Sequence, residues 1–300
     1  MAASPSVTGA LARCSFPPAG TAVTCAVSGG ADSLALLVLA TTAGCAATAI
    51  HVDHGLREGS AAEADVVAAA ARRFGARFVA ERVDVAPGPN LEARARAARK
   101  AVLPADALTG HTADDRAETI LLNLIRGAGP RGAAGIARSA HRPLLDLRRA
   151  DTEAVCAAVG LVPVDDPSNR DPVHRRNRIR HELLPLLVDI AQRDVVEVLV
   201  RQADLFAELE DLVTDAAVAL DATVAAQLAG AARPLAGAAV RAWLARAGVG
   251  SGHPVDAATV ERVLAVARGE AVACEVVGGW RVSRTAGRLV VAAPSTWQDG

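Results

Sequence analysis

A short glycine-containing segment near the start of the chain has the composition of a phosphate-binding loop. Residues 28–33 read SGGADS and lie between a β-branched run, residues 22–27, and an apolar helical run, residues 34–39. At a strand-to-helix junction the backbone N–H groups and the positive end of the helix dipole converge, and glycine lets the backbone approach an anion closely. The segment lacks the Gly-Lys-Ser/Thr ending of a Walker A loop. We therefore expect either a phosphate site or a tight turn with Asp32 or Ser33 as the helix N-cap.

Three carboxylates lie within one helical turn of each other later in the chain. They are Asp114, Asp115 and Glu118, at the start of a predicted helix. Acidic residues favour the first turn of a helix, and Thr112 with Asp115 resembles a capping box. Asp114 and Glu118, however, place like charges four residues apart, which costs a few tenths of a kcal/mol. The pattern predicts a neutralising cation here, either Mg²⁺ carrying phosphate or an arginine, which is Arg116 or one distant in sequence.

Two arginine-rich segments have both a functional and a structural interpretation. Residues 170–180 contain five arginines, which favours contact with a phosphate backbone, with a solvated helix face as the alternative. Arg94, Arg96 and Arg99 fall on another predicted helix, where exposure to solvent is the default for arginine.

The elements that must position these residues alternate between strands and helices. Strands are predicted over residues 22–27, 46–52, 77–83 and 107–111, and helices over residues 34–39, 61–74, 91–103 and 113–126. This alternation implies a parallel sheet with both faces covered, in which ligands bind beyond the carboxyl ends of the strands. Ser28, Asp53 and His111 follow strand ends, so we expect them to line one crevice. A zinc site at His51, Asp53 and His54 is disfavoured because no cysteine accompanies them.

The pattern changes in the last third of the chain. The remaining predicted elements are strands over residues 142–145, 272–277 and 288–291 and helices over residues 149–159 and 254–268. From residue 188 the alternation stops and apolar residues recur at helical spacing. We therefore predict a doubly wound, mostly parallel, Rossmann-like α/β domain over residues 1–187 and a smaller, mainly helical domain over residues 188–300.

Composition limits the class of protein. A hydrophobic fraction of 51% over 300 residues supplies a core, and the net charge of −1 excludes a uniformly basic surface but not a local basic patch. The five cysteines are odd in number and lack a C-x-x-C pair, which disfavours disulfides and metal clusters and fits a reducing cytoplasm. Residues 1–20 lack the apolar core of a signal peptide, and residues 34–50 are too short to span a membrane, so no membrane association is expected.

Several sequence blocks together resemble the N-type ATP pyrophosphatases, the PP-loop family, and within that group the tRNA(Ile)-lysidine synthase family. In chain order the blocks are SGGADS (28–33), VDHGLR (52–57), LEARARAAR (91–99), GHTADDRAETILLNLIRGAGPRG (110–132), RPLL (142–145), DDPSN (165–169), RNRIR (176–180) and LLPLL (183–187). They span most of residues 22–187. The long block around Asp114 and the pairing of DDPSN with RNRIR are more specific than the loop alone.

The resemblance implies a two-step reaction. ATP adenylates the C2 oxygen of the wobble cytidine, C34, in an isoleucine tRNA with a CAU anticodon, with release of pyrophosphate. L-Lysine then displaces AMP to give lysidine. The cofactors would be ATP and Mg²⁺, the partners tRNA(Ile) and L-lysine, and the compartment the cytoplasm. The oligomeric state is left open between a monomer and a homodimer, and the residues 188–300 would contact tRNA.

The resemblance also implies roles for individual residues. The catalytic set is Asp32, Asp114, Asp115 and Glu118, with Asp32 and Asp115 as Mg²⁺ ligands and Asp115 or Glu118 removing a proton from lysine. The nucleotide would contact Ser28, Gly29, Gly30, Asp32, Ser33, Asp53, Arg96, Arg99 and His111. The tRNA would contact Arg126, Arg131, Arg175, Arg176, Arg178 and Arg180.

Two other kinds of function remain open at this point. One is a different PP-loop enzyme, either a tRNA thiolase, for which paired cysteines are expected, or an amidating synthetase, which needs a source of ammonia. The other is a nucleotide-binding regulatory module without catalysis. Such a module has no need for the carboxylate cluster or for the arginines of residues 170–180.

Overall fold

The N-terminal part of the chain is built on a parallel sheet. The computed structural model describes residues 4–53, 60–83, 94, 97–98, 101–250 and 255–294. Strands β1 (Ala22–Ala26), β2 (Ala46–Asp53) and β3 (Arg77–Arg82) pair in the order β1-β2-β3, and both pairings are parallel. All three strands lie where the sequence predicts them, because each is a short β-branched or alternating run that ends at a polar or glycine-containing loop.

Helices precede, separate and follow these strands along the chain. They are α1 (Pro5–Leu11), α2 (Ala31–Thr42), α3 (Ser60–Arg73), α4 (Ala113–Ile125), α5 (Pro130–Ala133), α6 (Arg149–Ala158), α7 (Arg175–Arg178), α8 (Leu184–Ala191) and α9 (Val195–Ala217). Helix α2 follows β1 after four residues and buries every side chain from Ser33 to Ala40. A helix that is apolar on all sides must be covered on all sides. Helix α6 provides part of that cover, so its first turn is carried close to the start of α2.

Two of the predicted strands differ in the structure. Residues 107–111 contribute a single parallel bridge, between Leu108 and Cys25 of β1. Residues 142–145 form a turn instead of a strand, with the Leu145 N–H donating to the Arg142 carbonyl at 3.3 Å. Leu144 and Leu145 are buried, so this apolar run reflects burial of a turn and not strand pairing. The predicted helix over residues 91–103 lies largely outside the described residues.

A second small core fixes the position of α4. Ala117 and Leu121 of α4 pack against Ile179, Leu184 and Val196, which come from the turn before α8, from α8 itself and from α9. The turn Ile179–Leu183 is π-helical and joins α7 to α8. This packing brings the arginine-rich segment alongside the acidic face of α4.

The chain divides into two compact units, Met1–Leu205 and Phe206–Gly300. The second unit contains α10 (Ala225–Gly230), α11 (Arg233–Arg246) and α12 (Ala257–Arg268), followed by an antiparallel sheet of β4 (Ala273–Val276), β5 (Trp280–Thr285) and β6 (Arg288–Ala292). The sequence predicts β4 and β6 but misses β5. The predicted domains, residues 1–187 for catalysis and residues 188–300 for contact with tRNA, remain predictions.

A core of its own supports the second unit. Val240, Leu244, Val263, Val282 and Leu289 are all buried in it. Within the residues that the structure describes, no helix combines the length and apolar character needed to cross a membrane.

Candidate active site

The loop between β1 and α2 has a defined geometry. Gly29 adopts a left-handed conformation with φ of +89°, which favours glycine. The Ser28 N–H donates to Ser33 Oγ at 3.1 Å, and the Ser33 hydroxyl donates to the Gly30 carbonyl at 2.9 Å. Gly30 is the N-cap of α2, so neither Asp32 nor Ser33 takes that place. The first N–H groups of α2 have no partner within the helix and can bind an anion.

Two neighbouring segments close on the loop. The Val164 N–H donates to the Gly29 carbonyl at 3.0 Å. Gly110 passes so near the start of α2 that an added Cβ would lie 2.7 Å from the Asp32 carbonyl oxygen and 2.9 Å from its carbon. Both atoms belong to the backbone and have little freedom to move.

Replacing Gly110 with alanine is therefore expected to destabilise the protein by about 1–3 kcal/mol, because the backbone at Asp32 must shift to accept the methyl group. Gly129→Ala is the matched control, since nothing lies within 4 Å of a Cβ at that position. Urea unfolding of both variants checks the prediction. Equal stability of the two variants would contradict it.

Asp32 is the predicted catalytic carboxylate that faces open space. Its side chain is 25% exposed. The Thr152 hydroxyl donates to Asp32 Oδ1 in a short contact, and Arg149 Nε lies 3.7 Å from Asp32 Oδ2. Burial raises the pKa of Asp32 to about 6, and the Thr152 hydrogen bond and the Arg149 charge offset only part of that rise while the nearby Asp115 charge adds to it.

Asp114 is held by the start of α6. Arg148 donates to both carboxylate oxygens at 3.0 Å, and the Arg149 backbone N–H donates to Oδ2 at 2.8 Å. Burial alone would raise the pKa of Asp114, but these hydrogen bonds outweigh it and the pKa is lowered. Asp114 is therefore an ionised anchor for the first turn of α6.

Glu118 is fully buried beneath three guanidinium groups. Arg180 donates to it at 2.6 Å, Arg176 at 2.7 Å and Arg149 at 3.3 Å. Asp115 accepts from the Thr112 N–H at 2.9 Å, which completes the predicted capping box, and it also lies within 4 Å of all three arginines. Distant arginines thus relieve the like-charge repulsion on α4, as one of the sequence alternatives anticipates. Arg116 instead pairs with Asp204 at 2.7 Å.

The arginine-rich segment is divided between two directions. Arg176 and Arg180 point into the carboxylate cluster, while Arg175 and Arg178 are exposed. Arg178 pairs with Glu182 one turn later. Asn177 donates to the Ser168 and Asp171 carbonyls at 2.7 and 2.9 Å, which joins the DDPSN turn to this segment.

These elements surround a cavity of about 630 Å³. The predicted residues that line it are Ser28, Gly30, Asp32, Ser33, His111 and Arg180. The lining residues outside the predicted set include His51, Glu63, Thr109, Arg149, Glu153, Val164, Asp165 and Asn169. Asp114, Asp115 and Glu118 lie behind this wall and contact it through arginines.

Other predicted residues lie elsewhere or outside the described part. Asp53 is the last residue of β2 and is not among the lining residues, whereas His111, which does line the cavity, has Nδ1 2.8 Å from Thr109 Oγ1. Arg96 and Arg99 fall outside the described residues, as does His54. Arg126 and Arg131 are exposed at the end of α4 and in α5. His51 is buried with Nδ1 at 3.0 Å from the Val27 carbonyl, which ties β2 to the start of the loop.

Arg148, the N-cap of α6, and Arg149 and Thr152 in its first turn are not among the predicted site residues. A signal was present, because cations at the first turn of a helix oppose its dipole and require nearby carboxylates. Thr152 carries no comparable signal. A threonine within a helix is ordinary, and its partner Asp32 is 120 residues away.

Comparison with known proteins agrees with this architecture. A family model described as a PP-loop domain matches residues 7–187. The chain is 42% identical over 312 residues to the tRNA(Ile)-lysidine synthase of Salinispora arenicola, covering 93% of this chain and 92% of the relative. It is 45% identical over 250 residues to the tRNA(Ile)-lysidine synthase of Nocardia farcinica, covering 78% of each chain.

A solved structure resembles the fold at low sequence identity. It is the U34-tRNA thiolase NcsA from Methanococcus maripaludis with its [4Fe-4S] cluster, with a TM-score of 0.55 and 15% identity. The similarity covers 68% of this chain and 78% of the thiolase. At this identity the likeness concerns the fold alone.

Proposed function

The chain belongs to the tRNA(Ile)-lysidine synthase family, and we propose that it uses ATP to join L-lysine to C2 of the wobble cytidine in an isoleucine tRNA with a CAU anticodon. The observation that carries the proposal is the 42% identity to a relative of that name over 93% of this chain and 92% of the relative. The PP-loop geometry and the cavity beside it supply a matching place for ATP.

In the first step the cytidine oxygen attacks the α-phosphate of ATP and pyrophosphate leaves. The N–H groups at the start of α2 and the Ser28 and Ser33 hydroxyls are suited to hold the leaving pyrophosphate, because they point a preformed dipole at developing negative charge. These groups are already ordered by their own hydrogen bonds. Little reorganisation is needed when charge develops.

Asp32 is suited to hold Mg²⁺ together with the ATP phosphates. Mg²⁺ in nucleotide sites commonly takes one or two protein carboxylates besides phosphate oxygens. Asp32 fits this requirement because its carboxylate is partly exposed in the cavity wall. Asp115 fits it less well, since Arg149 and Arg176 already contact its Oδ1. The bound metal would neutralise charge on the departing pyrophosphate.

In the second step the lysine amine attacks C2 and AMP leaves, which requires the amine in its neutral form. The family resemblance points to Asp115 or Glu118 as the proton acceptor. Glu118 is 0% exposed and Asp115 13% exposed, and neither lines the cavity. We therefore give Asp114, Asp115 and Glu118 a positioning role, in which their contacts fix Arg149 and Arg180 in the cavity wall.

We propose that tRNA contacts the exposed arginines of the predicted set. Arg126, Arg131 and Arg175 are exposed, as is Arg178, which pairs with Glu182, whereas Arg176 and Arg180 are engaged by Glu118. Each arginine that neutralises an RNA phosphate releases to solution the cation condensed on that phosphate, which makes binding salt-dependent.

Replacing Arg126, Arg131 and Arg175 together with alanine is expected to weaken tRNA binding. Each lost phosphate contact lowers the slope of log K against log salt by about 0.7–0.9. Filter binding between low and moderate salt measures it. Arg77→Ala is the control, because Arg77 is exposed at the amino end of β3. This end of the parallel strands lies opposite to their carboxyl ends, where the cavity is. An unchanged slope in the triple variant would favour the solvated-face interpretation.

The decisive experiment is incubation of the protein with ATP, labelled L-lysine and an isoleucine tRNA transcript that bears CAU. We expect label in the RNA, with release of AMP and pyrophosphate, and no label when C34 is replaced by uridine. If the CAU transcript stays unlabelled while an enzyme of known activity labels it, lysidine formation is excluded.

A thiolase activity has less support. No cysteine is among the described residues that line the cavity, and the five cysteines are free thiols. Free thiols in this number suit a reducing compartment, and we propose that the reaction takes place in the cytoplasm.

A further inference from the structure

A single buried hydroxyl group supports Asp32 from behind. Thr152 is 0% exposed and lies on α6, which contacts the start of α2. Thr152 and Arg149 both contact Asp32, and Cys156 Sγ lies 3.5 Å from the Ala31 carbonyl. The start of α6 is thus the surface on which the first turn of α2 rests.

Two acceptors lie within hydrogen-bond distance of the Thr152 hydroxyl. It lies 2.7 Å from the Arg149 carbonyl in its own helix and within hydrogen-bond distance of Asp32 Oδ1. A hydroxyl carries one proton and donates to one acceptor at a time. The Thr152 hydroxyl has an acceptor within α6 and does not need Asp32 for its own hydrogen bond. Its contact with Asp32 therefore matters for the orientation of Asp32.

Asp32 depends on this donor. Among the side chains that the structure describes, Thr152 is the one that donates a hydrogen bond to its carboxylate. Arg149 contributes an ion pair at 3.7 Å, which is beyond hydrogen-bond length. A hydrogen bond at Oδ1 fixes the rotation of a carboxylate and thereby fixes where its second oxygen lies.

We propose that Thr152 is a positioning residue for the metal–nucleotide complex: its hydroxyl holds Asp32 so that Oδ2 is presented to the cavity. The proposal rests on the proposed role of Asp32 in binding Mg²⁺ with ATP. It assigns to α6 a function beyond packing, since one turn of this helix then orients both the carboxylate, through Thr152, and the arginine beside it, Arg149.

The test compares full-length Thr152→Val with Thr152→Ser. Valine keeps the volume and removes the hydroxyl, whereas serine keeps the hydroxyl. Calorimetric titration with ATP, once with Mg²⁺ and once with EDTA, measures affinity without lysine or tRNA. We expect valine to weaken binding of ATP with Mg²⁺ by about ten-fold or more, since a hydrogen bond to a charged group is lost. Binding of ATP in EDTA should stay unchanged, and serine should restore the Mg²⁺-dependent affinity.

Thr41→Val is the matched control, because the Thr41 hydroxyl donates only within α2, to the Leu37 and Val38 carbonyls. Equal losses with Mg²⁺ and with EDTA, or a serine variant as weak as the valine variant, would overturn the proposal in favour of a packing role. If the valine variant does not fold, Thr152→Ala takes its place in the same comparison with serine. Because no tRNA or lysine is used, failure of lysine transfer by the wild-type protein would count against the proposed function alone.

Discussion

Asp32→Asn is expected to lower the rate of tRNA-dependent pyrophosphate release by at least about 100-fold, because the variant keeps the shape of Asp32 but loses the charge that would hold Mg²⁺ against the leaving phosphates. The amide oxygen can still accept from Thr152, so the local packing is preserved. Asp32 is also the one member of the predicted catalytic set that lines the cavity, within the part of the chain that the structure describes. A quenched-flow assay of pyrophosphate release under saturating ATP measures the effect.

The same substitution is expected to leave the fold intact or to stabilise it at pH 7. The folded-state pKa of Asp32 is raised to about 6, mainly by burial. A carboxyl group whose pKa is raised on folding destabilises the folded state most at pH values above its folded-state pKa. The reason is that the same group ionises more readily in the unfolded chain. The gain in the free energy of unfolding of Asp32→Asn over the wild type should therefore be present at pH 7, fall as the pH drops below about 6 and vanish below about 4. Thermal unfolding without metal across this range measures it.

Asp65→Asn provides the control, since Asp65 is an exposed carboxylate on α3. It should change neither the rate nor the stability by a measurable amount. Pyrophosphate release by Asp32→Asn at half the wild-type rate or more would remove Asp32 from the chemistry. A large loss of stability at pH 7 would show that its charge supports the fold.

Glu118→Gln is expected to destabilise the protein by about 3–5 kcal/mol, because it removes a buried charge that three partly buried guanidinium groups share. Arg149, Arg176 and Arg180 would then face one another across a neutral amide, with Asp115 as the remaining carboxylate that they share. Glu118 is 0% exposed, so water cannot reach its position to solvate the guanidinium groups that lose this partner. The midpoint of urea unfolding measures the change.

The activity of Glu118→Gln should also fall, since Arg149 and Arg180 line the cavity and lose the anchor that orients them. Glu208→Gln on the exposed face of α9 is the control and should stay within about 0.5 kcal/mol of the wild type. If Glu118→Gln unfolds at the wild-type midpoint yet loses activity, the carboxylate has a chemical role instead of the positioning role that we assign to it.

The parts of the site that follow from short-range rules were predictable. The loop SGGADS follows β1 and opens α2, and Thr112 with Asp115 caps α4. Both depend on dihedral preferences and on hydrogen bonds between residues a few positions apart. The same rules fail at residues 142–145, where a short apolar run is buried as a turn. They also give no strand at β5, although its six residues alternate in character.

The sequence by itself determined the strand–loop–helix junction at residues 28–33, the excess of carboxylate at the start of α4 and the blocks that identify the family. These features are local, or they are carried by residue order alone. It could not choose among Mg²⁺, Arg116 and a distant arginine as the partner of those carboxylates.

Only the tertiary structure decided which arginine and threonine side chains contact which carboxylates. It turned Arg176 and Arg180 inward to Glu118, paired Arg116 with Asp204, and brought Thr152 to Asp32 across 120 residues of chain. The physical reason is that these contacts require α4, α6 and the segment around α7 to pack together. The free energy of that packing comes from buried apolar surface on helices far apart in sequence, which no local pattern at Asp32 or Glu118 encodes.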